Sequence, residues 1–252
     1  MEIKKLVYAT DLREPTYDIF EGLLAIKKTG LEGITLLSEK APEELRRRLS
    51  NDGVSLSTVE GSKPLPSTIL ETADKEHASL VVTRLNREKK RLFRGGAVRD
   101  LIRNTRYPLL LIQENAAEKG SSTRGLFDSV ILATDWSDSA NKAFLYIISL
   151  KEIVGVLDIV YVMNEKPTVK DIRQLKERIE ELRRICLEEQ IDAESHIYAG
   201  KTAGEIILAS KDYGATLIVM GYNSKGPVQE IFSGSTCFRV AEESSVPVLI
   251  IP

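Results

Sequence analysis

Short apolar runs alternate along the chain with longer segments in which apolar and charged residues recur at helical spacing. In the second half, the apolar runs predict strands over 130–134, 157–163, 193–198, 216–220 and 246–251. The amphipathic segments between them predict helices over 137–150, 169–190, 203–213 and 234–244. Continuous apolar strands that alternate with helices favour an open, mainly parallel sheet with helices on both faces.

The same unit occurs twice. Three pairs of segments match between the halves: 6–11 with 130–135, 92–96 with 231–235, and 107–112 with 246–251. The first pair ends in Ala-Thr-Asp in both copies. Self-similarity on this scale indicates a duplicated domain. We therefore predict domains over 1–115 and 127–252, joined by a polar linker over 116–126.

Composition narrows the functional classes. The 252 residues are 42% hydrophobic and 29% charged, with a net charge of -2, which disfavours a general nucleic-acid binder. The apolar runs are far shorter than the ~20 residues of a membrane-spanning helix, and residues 1–9 lack the apolar core of a secretory signal. We predict a cytoplasmic protein. Cys186 and Cys237 are expected to behave as small apolar residues, since two thiols make no disulfide framework.

A glycine-containing loop indicates an anion site. Gly221–Pro227 leaves a predicted strand, and 232–236 enters the last helix. Glycines and helix N-terminal amides suit a phosphate group, to which Ser235, Thr236 and Lys225 would add donors. The alternative is that the serines only cap the helix and the glycines only form turns.

Asp135 follows the first strand of the second copy. It is expected at the same sheet edge, where it could accept hydrogen bonds from a ribose or a base. Here too a simpler interpretation stays open, in which Asp135 or Ser137 starts the following helix.

With these residues the chain resembles the universal stress protein family over essentially its whole length. ATP-binding members carry Gly, two residues, Gly, nine residues, Gly and Ser or Thr; here Gly221, Ser224, Gly234 and Ser235 occupy those places, and Ser224 departs from the pattern. The resemblance implies two tandem Rossmann-like domains with five-stranded sheets, and ATP or AMP as the ligand, with or without Mg²⁺. The implied nucleotide-binding residues are Ala133, Thr134, Asp135, Val162, Met163, Met220, Gly221, Asn223, Ser224, Gly234, Ser235 and Thr236.

The first copy departs further from that pattern. Arg84 and Arg87 stand where Gly221 and Ser224 stand in the second copy, although Asp11 persists. We interpret the first copy as degenerate. Its basic run, 84–94, is favoured as a solvated face over a second phosphate-binding surface.

Two other signals are set aside. Gly200-Lys201-Thr202 is rejected as a P-loop, because Ser195 stands where the motif requires glycine. His77 and His196 are interpreted as structural, since neither has a recognisable nucleophile nearby, and no catalytic set emerges.

The prediction is therefore a nucleotide-dependent switch, in which adenine nucleotide orders the glycine loop and changes the surface offered to an unknown protein partner. Two alternatives are a slow ATP hydrolase and an interaction scaffold that binds no nucleotide. Neither a nucleic acid nor a membrane is expected as a partner. The resemblance implies pairing of the last strands, 107–112 and 246–251, into an intrachain pseudo-dimer, and two tandem chains could associate further.

Overall fold

The computed structural model describes residues 2–10, 23, 25–38, 41–59, 65–85, 96–113, 125–163, 168–222 and 230–252. The chain forms two compact units, Met1–Gly125 and Leu126–Pro252. Most of the predicted linker lies outside the described residues.

The described residues of the first unit form five parallel strands. They are β1 (Lys5–Ala9), β2 (Gly33–Leu37), β3 (Ser55–Val59), β4 (Leu80–Leu85) and β5 (Leu109–Gln113), in the sheet order β3-β2-β1-β4-β5. The described helices between them are a 3-10 helix (Ala25–Thr29), α1 (Glu43–Asn51), α2 (Pro66–Glu76) and α3 (Gly96–Asn104). Pro66 begins α2, where a missing backbone N–H costs no helical hydrogen bond.

The second unit repeats this arrangement. Its strands are β6 (Ser129–Thr134), β7 (Val156–Met163), β8 (Asp192–Ala199), β9 (Leu217–Gly221) and β10 (Val248–Ile251), in the order β10-β9-β6-β7-β8. Its described helices are α4 (Asp138–Ile148), α5 (Val169–Glu188), α6 (Thr202–Asp212) and α7 (Glu230–Glu243). All strand pairs within each unit are parallel, so the predicted fold class is confirmed.

The local sequence explains two of the four described helix starts in the second unit. The Ser137 hydroxyl accepts a hydrogen bond from the Ala140 amide and caps α4, as predicted. Thr168 and Asp171 form a reciprocal capping box at the start of α5. The helix α5 spans 20 residues, whereas its counterpart α1 spans 9.

The start of α7 differs from the prediction. The helix begins at Glu230 and not at Gly234, so Gly234 and Ser235 lie in its second turn. Glycine often marks a helix boundary, but a helix tolerates an interior glycine at a cost of about 1 kcal/mol relative to alanine.

The described helices include none that is long and apolar enough to cross a membrane.

Candidate functional site

A cleft of about 600 Å³ opens at the carboxyl edge of the second sheet. The cleft lies at β6, whose neighbours in the sheet are β7 and β9. After β6 the chain adds β7 and β8 on one side of this strand, and it then crosses over to add β9 and β10 on the other side. Open parallel sheets bind ligands at such switch points. The described residues that line the cleft are Ala133, Thr134, Asp135, Ala140, Val160, Tyr161, Val162, Lys201, Thr202, Ala203, Ile206, Met220, Gly221, Thr236, Cys237 and Arg239.

A tight turn after β6 presents Asp135 to this cleft. Asp135 is exposed, and its Oδ1 accepts a hydrogen bond of 3.0 Å from the Ser137 amide. Trp136 has a left-handed φ of 65°, and its amide donates to Thr134 Oγ1 over 3.3 Å. Ser137 therefore caps α4, while Asp135 stabilises the turn that leads into it.

One wall of the cleft is apolar. Val160 and Val162 of β7, Ala203 and Ile206 of α6, and Met220 of β9 are all buried. Val160 and Val162 are two residues apart on a strand and so share one face of the sheet. A flat, weakly polar group such as a purine base suits a wall of this kind.

Gly221 ends β9 where that strand meets the first turn of α4. A β-carbon at this position would overlap the backbone of Ser139 and lie 2.5 Å from the Ala140 nitrogen. The Gly221 carbonyl accepts a hydrogen bond of 3.4 Å from the Cys237 thiol. Burial raises the pKa of Cys237 to about 12, and the charge of Asp135 adds to the shift. This thiol is therefore neutral at ordinary pH.

The start of α6 forms another side of the cleft. Lys201 is exposed at the N-cap position, and Thr202 is the first helical residue. Gly200 precedes them with φ of +152°, and its amide donates to the Met163 carbonyl over 3.0 Å. The site predicted from the sequence does not include this segment, because the segment does not match a P-loop. The signal that would have found it is topological, because every strand-to-helix loop of a parallel sheet lies at the same edge.

The structure brings together seven of the residues predicted to bind nucleotide. These are Ala133, Thr134, Asp135, Val162, Met220, Gly221 and Thr236. Met163 is described but does not line the cleft. Asn223 and Ser224 lie outside the described residues. Gly234 and Ser235 belong to helix α7.

In the first unit, Arg84 occupies the penultimate position of β4 and is 4% exposed. The prediction of a solvated basic face is therefore wrong for Arg84. The other basic residues of that run, together with Asp11 and Gly95, lie outside the described residues.

Comparison with known proteins identifies the family of the second unit. Residues 126–252, half of the chain, match the sequence model described as the universal stress protein family. The chain is 27% identical over 147 residues to universal stress protein YxiE of Bacillus subtilis (strain 168), a match that covers 50% of this chain and 99% of that protein.

Solved structures give the same fold over nearly the whole chain. The crystal structure of a universal stress protein from Archaeoglobus fulgidus DSM 4304 is similar with a TM-score of 0.73 and 22% identity, covering 99% of this chain and 96% of that one. PA1789 from Pseudomonas aeruginosa PAO1, described as functionally unknown, is similar with a TM-score of 0.70 and 16% identity, covering 99% and 92%. From the match of its second half, the chain belongs to the universal stress protein family.

Proposed function

We propose that the cleft of the second unit binds an adenine nucleotide, ATP or AMP, and that binding acts as a switch for a protein partner. The observation that carries this proposal is the meeting of three chemically different surfaces at one sheet edge. They are the Asp135 carboxylate, the apolar wall around Val160 and Val162, and the polar side formed by Thr236, Lys201 and Arg239.

Asp135 is the group best suited to the ribose. Its Oδ1 is engaged by the Ser137 amide, which orients the carboxylate without neutralising it. A carboxylate can accept several hydrogen bonds at once, so Asp135 has capacity for ribose hydroxyls as well. An acidic residue near the end of an early strand often has this role in nucleotide-binding sheets.

The phosphates fit the side of the cleft formed by α7 and the start of α6. Thr236 offers a hydroxyl, and Lys201 and Arg239 supply positive charge. The Arg239 Nε–H donates to Glu243 over 2.9 Å, which holds the guanidinium on that side of α7. A guanidinium has five N–H donors, so further donors remain available for an anion.

The switch follows from where these groups reside. A nucleotide that contacts Asp135, Gly221 and Thr236 would connect the loop after β6, the end of β9 and helix α7. Binding would therefore stabilise one arrangement of these three elements. A partner that recognises that arrangement would bind the nucleotide-loaded protein more tightly, to the extent that nucleotide affinity differs between the arrangements.

The experiment begins with denaturing the purified protein and identifying any released nucleotide by chromatography. ATP and AMP, each with and without Mg²⁺, are then titrated by calorimetry into wild type, Asp135→Ala and Asp138→Ala. Asp138 is exposed, lies three residues away and does not line the cleft, so it controls for the loss of one negative charge.

We expect about one equivalent of nucleotide to bind wild type and Asp138→Ala. Asp135→Ala should bind roughly 10-fold to 100-fold more weakly, since a hydrogen bond to a charged group contributes about 1.5–3 kcal/mol. Equal binding by both variants would remove Asp135 from the site. No binding by any protein would overturn the proposal and favour the scaffold, whereas turnover of radiolabelled ATP would favour the hydrolase.

A further inference from the structure

A second polar cluster lies on the sheet of the same unit, next to the cleft: none of its residues lines the cleft, and His196 is the register partner of the cleft-lining Val160. It consists of Asp158 on β7 and of Glu194 and His196 on β8. Asp158 pairs directly with Glu194 in the parallel register, and His196 lies two residues further along β8. Side chains two residues apart on a strand point to the same face, so these three groups converge on one face of the sheet.

Their ligand atoms are close enough to share one ion. His196 Nε2 is 2.8 Å from Asp158 Oδ1 and 3.9 Å from Glu194 Oε2. One nitrogen and two carboxylate oxygens, one from each residue, all lie within 4.8 Å of one another. Two ligand atoms that each lie ~2.1 Å from a zinc ion are at most ~4.2 Å apart, so small side-chain rotations would bring this set to bonding distance.

Two side chains of the cluster are largely buried, and the third is exposed to solvent. The Asp158 side chain is 6% exposed and that of His196 is 15% exposed, whereas that of Glu194 is 68% exposed. An ion could therefore enter from solvent past Glu194 and reach a carboxylate that is largely shielded from water. The outer position would keep water as a further ligand.

The imidazole is held in place for such a role. The ring of His196 stacks on the ring of Tyr213, with centroids 4.1 Å apart and planes inclined by 22°. Orientation of a histidine by a neighbouring group is a regular feature of metal sites. Here stacking and the contact with Asp158 together limit the rotation of the ring.

The electrostatics of the cluster favour a cation. The carboxylates of Asp158 and Glu194 lie 2.8 Å and 3.9 Å from His196 Nε2. Two carboxylates thus face one imidazole. A divalent ion carries enough positive charge to balance both of these carboxylates.

We propose that Asp158, Glu194 and His196 form a binding site for one divalent transition-metal ion of the zinc type. Binding would replace the hydrogen bond between His196 Nε2 and Asp158 Oδ1, because Nε2 coordinates a metal only when it carries no proton. The imidazole favours zinc, cobalt or nickel, because magnesium and calcium prefer ligand sets made of oxygen atoms alone. The site shares no residue with the proposed nucleotide cleft, so either proposal can fail without the other.

The test uses the full chain without a histidine tag, treated with EDTA and dialysed. ZnCl₂ is titrated by calorimetry into wild type, Glu194→Gln, His196→Ala and the controls Asp192→Asn and His77→Ala. Asp192 is an exposed carboxylate of the same strand, and His77 is the other histidine of the sequence. Circular dichroism establishes that each variant is folded.

We expect wild type and both controls to bind about one equivalent of Zn²⁺ with affinities within roughly twofold of one another. Glu194→Gln should weaken binding at least about tenfold, and His196→Ala should abolish it, since loss of a ligand costs far more than loss of a distant charge. MgCl₂ should give no heat at the same concentration. Unchanged binding by both ligand variants, or loss of binding in His77→Ala, would overturn the site.

A second measurement covers the case in which His196→Ala does not fold. The sequence contains two histidines, so the imidazole signals in a proton–nitrogen NMR spectrum of wild type are few enough to assign. Substoichiometric Zn²⁺ should shift or broaden the His196 signals and leave those of His77 in place. Zinc that perturbs His77 alone, or neither ring, would contradict the proposal.

Discussion

Gly221 and Ser139 lie so close together that a β-carbon on residue 221 would overlap the backbone carbonyl of Ser139. The contact joins the end of β9 to the first turn of α4, beside the turn that presents Asp135. Gly221 does not have a positive φ, in contrast to Gly200. Glycine is therefore required at 221 by the approach of two backbones and not by an unusual backbone conformation.

Gly221→Ala should destabilise the second unit by about 1–3 kcal/mol, because the inserted methyl group forces β9 and α4 apart. Trp136, the one tryptophan of the sequence, lies in this unit and reports its urea unfolding by fluorescence. Gly204→Ala is the matched control, since nothing lies within 4 Å of a β-carbon there. That change in α6 should stabilise by roughly 0.5–1 kcal/mol. Equal unfolding midpoints for the two variants would refute the packing argument.

The arrangement of the sheet could be predicted from the sequence, because each signal lies within one short segment. A continuous apolar run predicts a buried strand, and the strand predicted over 130–134 is observed as Ser129–Thr134. An aspartate directly after such a strand must lie at the carboxyl edge of a parallel sheet. Asp135 and Gly221 could therefore be placed near each other without coordinates, because each belongs to the loop after its own strand.

Features that depend on contacts between distant segments could not be predicted from the sequence. The requirement for glycine at 221 depends on how closely the end of β9 approaches Ser139 of α4, which no spacing in the sequence encodes. The pairing of Asp158 with His196 requires the register of β7 and β8. The start of α7 was misplaced for a different reason, since glycine is an ambiguous boundary signal when the residues before it can also form a helix.

Asp135→Asn should separate the role of Asp135 in the turn after β6 from its proposed role in nucleotide binding. Asparagine retains an oxygen that can accept from the Ser137 amide, so the turn after β6 should be preserved. Alanine removes that acceptor and should cost about 0.5–1.5 kcal/mol. Urea unfolding should therefore rank Asp135→Asn close to wild type and Asp135→Ala below both.

The order of wild type and the Asp135 variants in nucleotide affinity should differ from their order in stability. The proposed ribose contact uses the charged carboxylate, so Asp135→Asn should bind more weakly than wild type although it is equally stable. Calorimetry with ATP measures this directly. Wild-type affinity in Asp135→Asn would show that the charge of residue 135 is not used for binding.

Arg178 should determine the environment of the Trp136 ring. The Arg178 guanidinium carbon lies 4.4 Å from the centroid of that ring, and Tyr161 stacks against Trp136 with centroids 5.7 Å apart. Arg178→Ala should expose the ring to water, move its fluorescence to longer wavelength and destabilise the unit by roughly 0.5–1 kcal/mol. Arg173→Ala, an exposed change on the same helix, should leave the emission unaltered. A shift in the control and not in Arg178→Ala would contradict the assigned contact.

The two cysteines should resist alkylation in the folded protein. Burial raises the pKa of Cys186 to about 11 and that of Cys237 to about 12. Because the thiolate is the reactive form and an ordinary thiol has a pKa of about 8.5, each raised pKa lowers the reactive fraction at pH 8 by roughly a hundredfold or more. Iodoacetamide at pH 8, followed by mass spectrometry, should label neither residue on the timescale that labels both in urea. Labelling of the folded protein should increase as the pH is raised toward 11, with Cys186 reacting before Cys237. Rapid modification of Cys237 at pH 8 would show that its thiol is not enclosed between α7 and the end of β9.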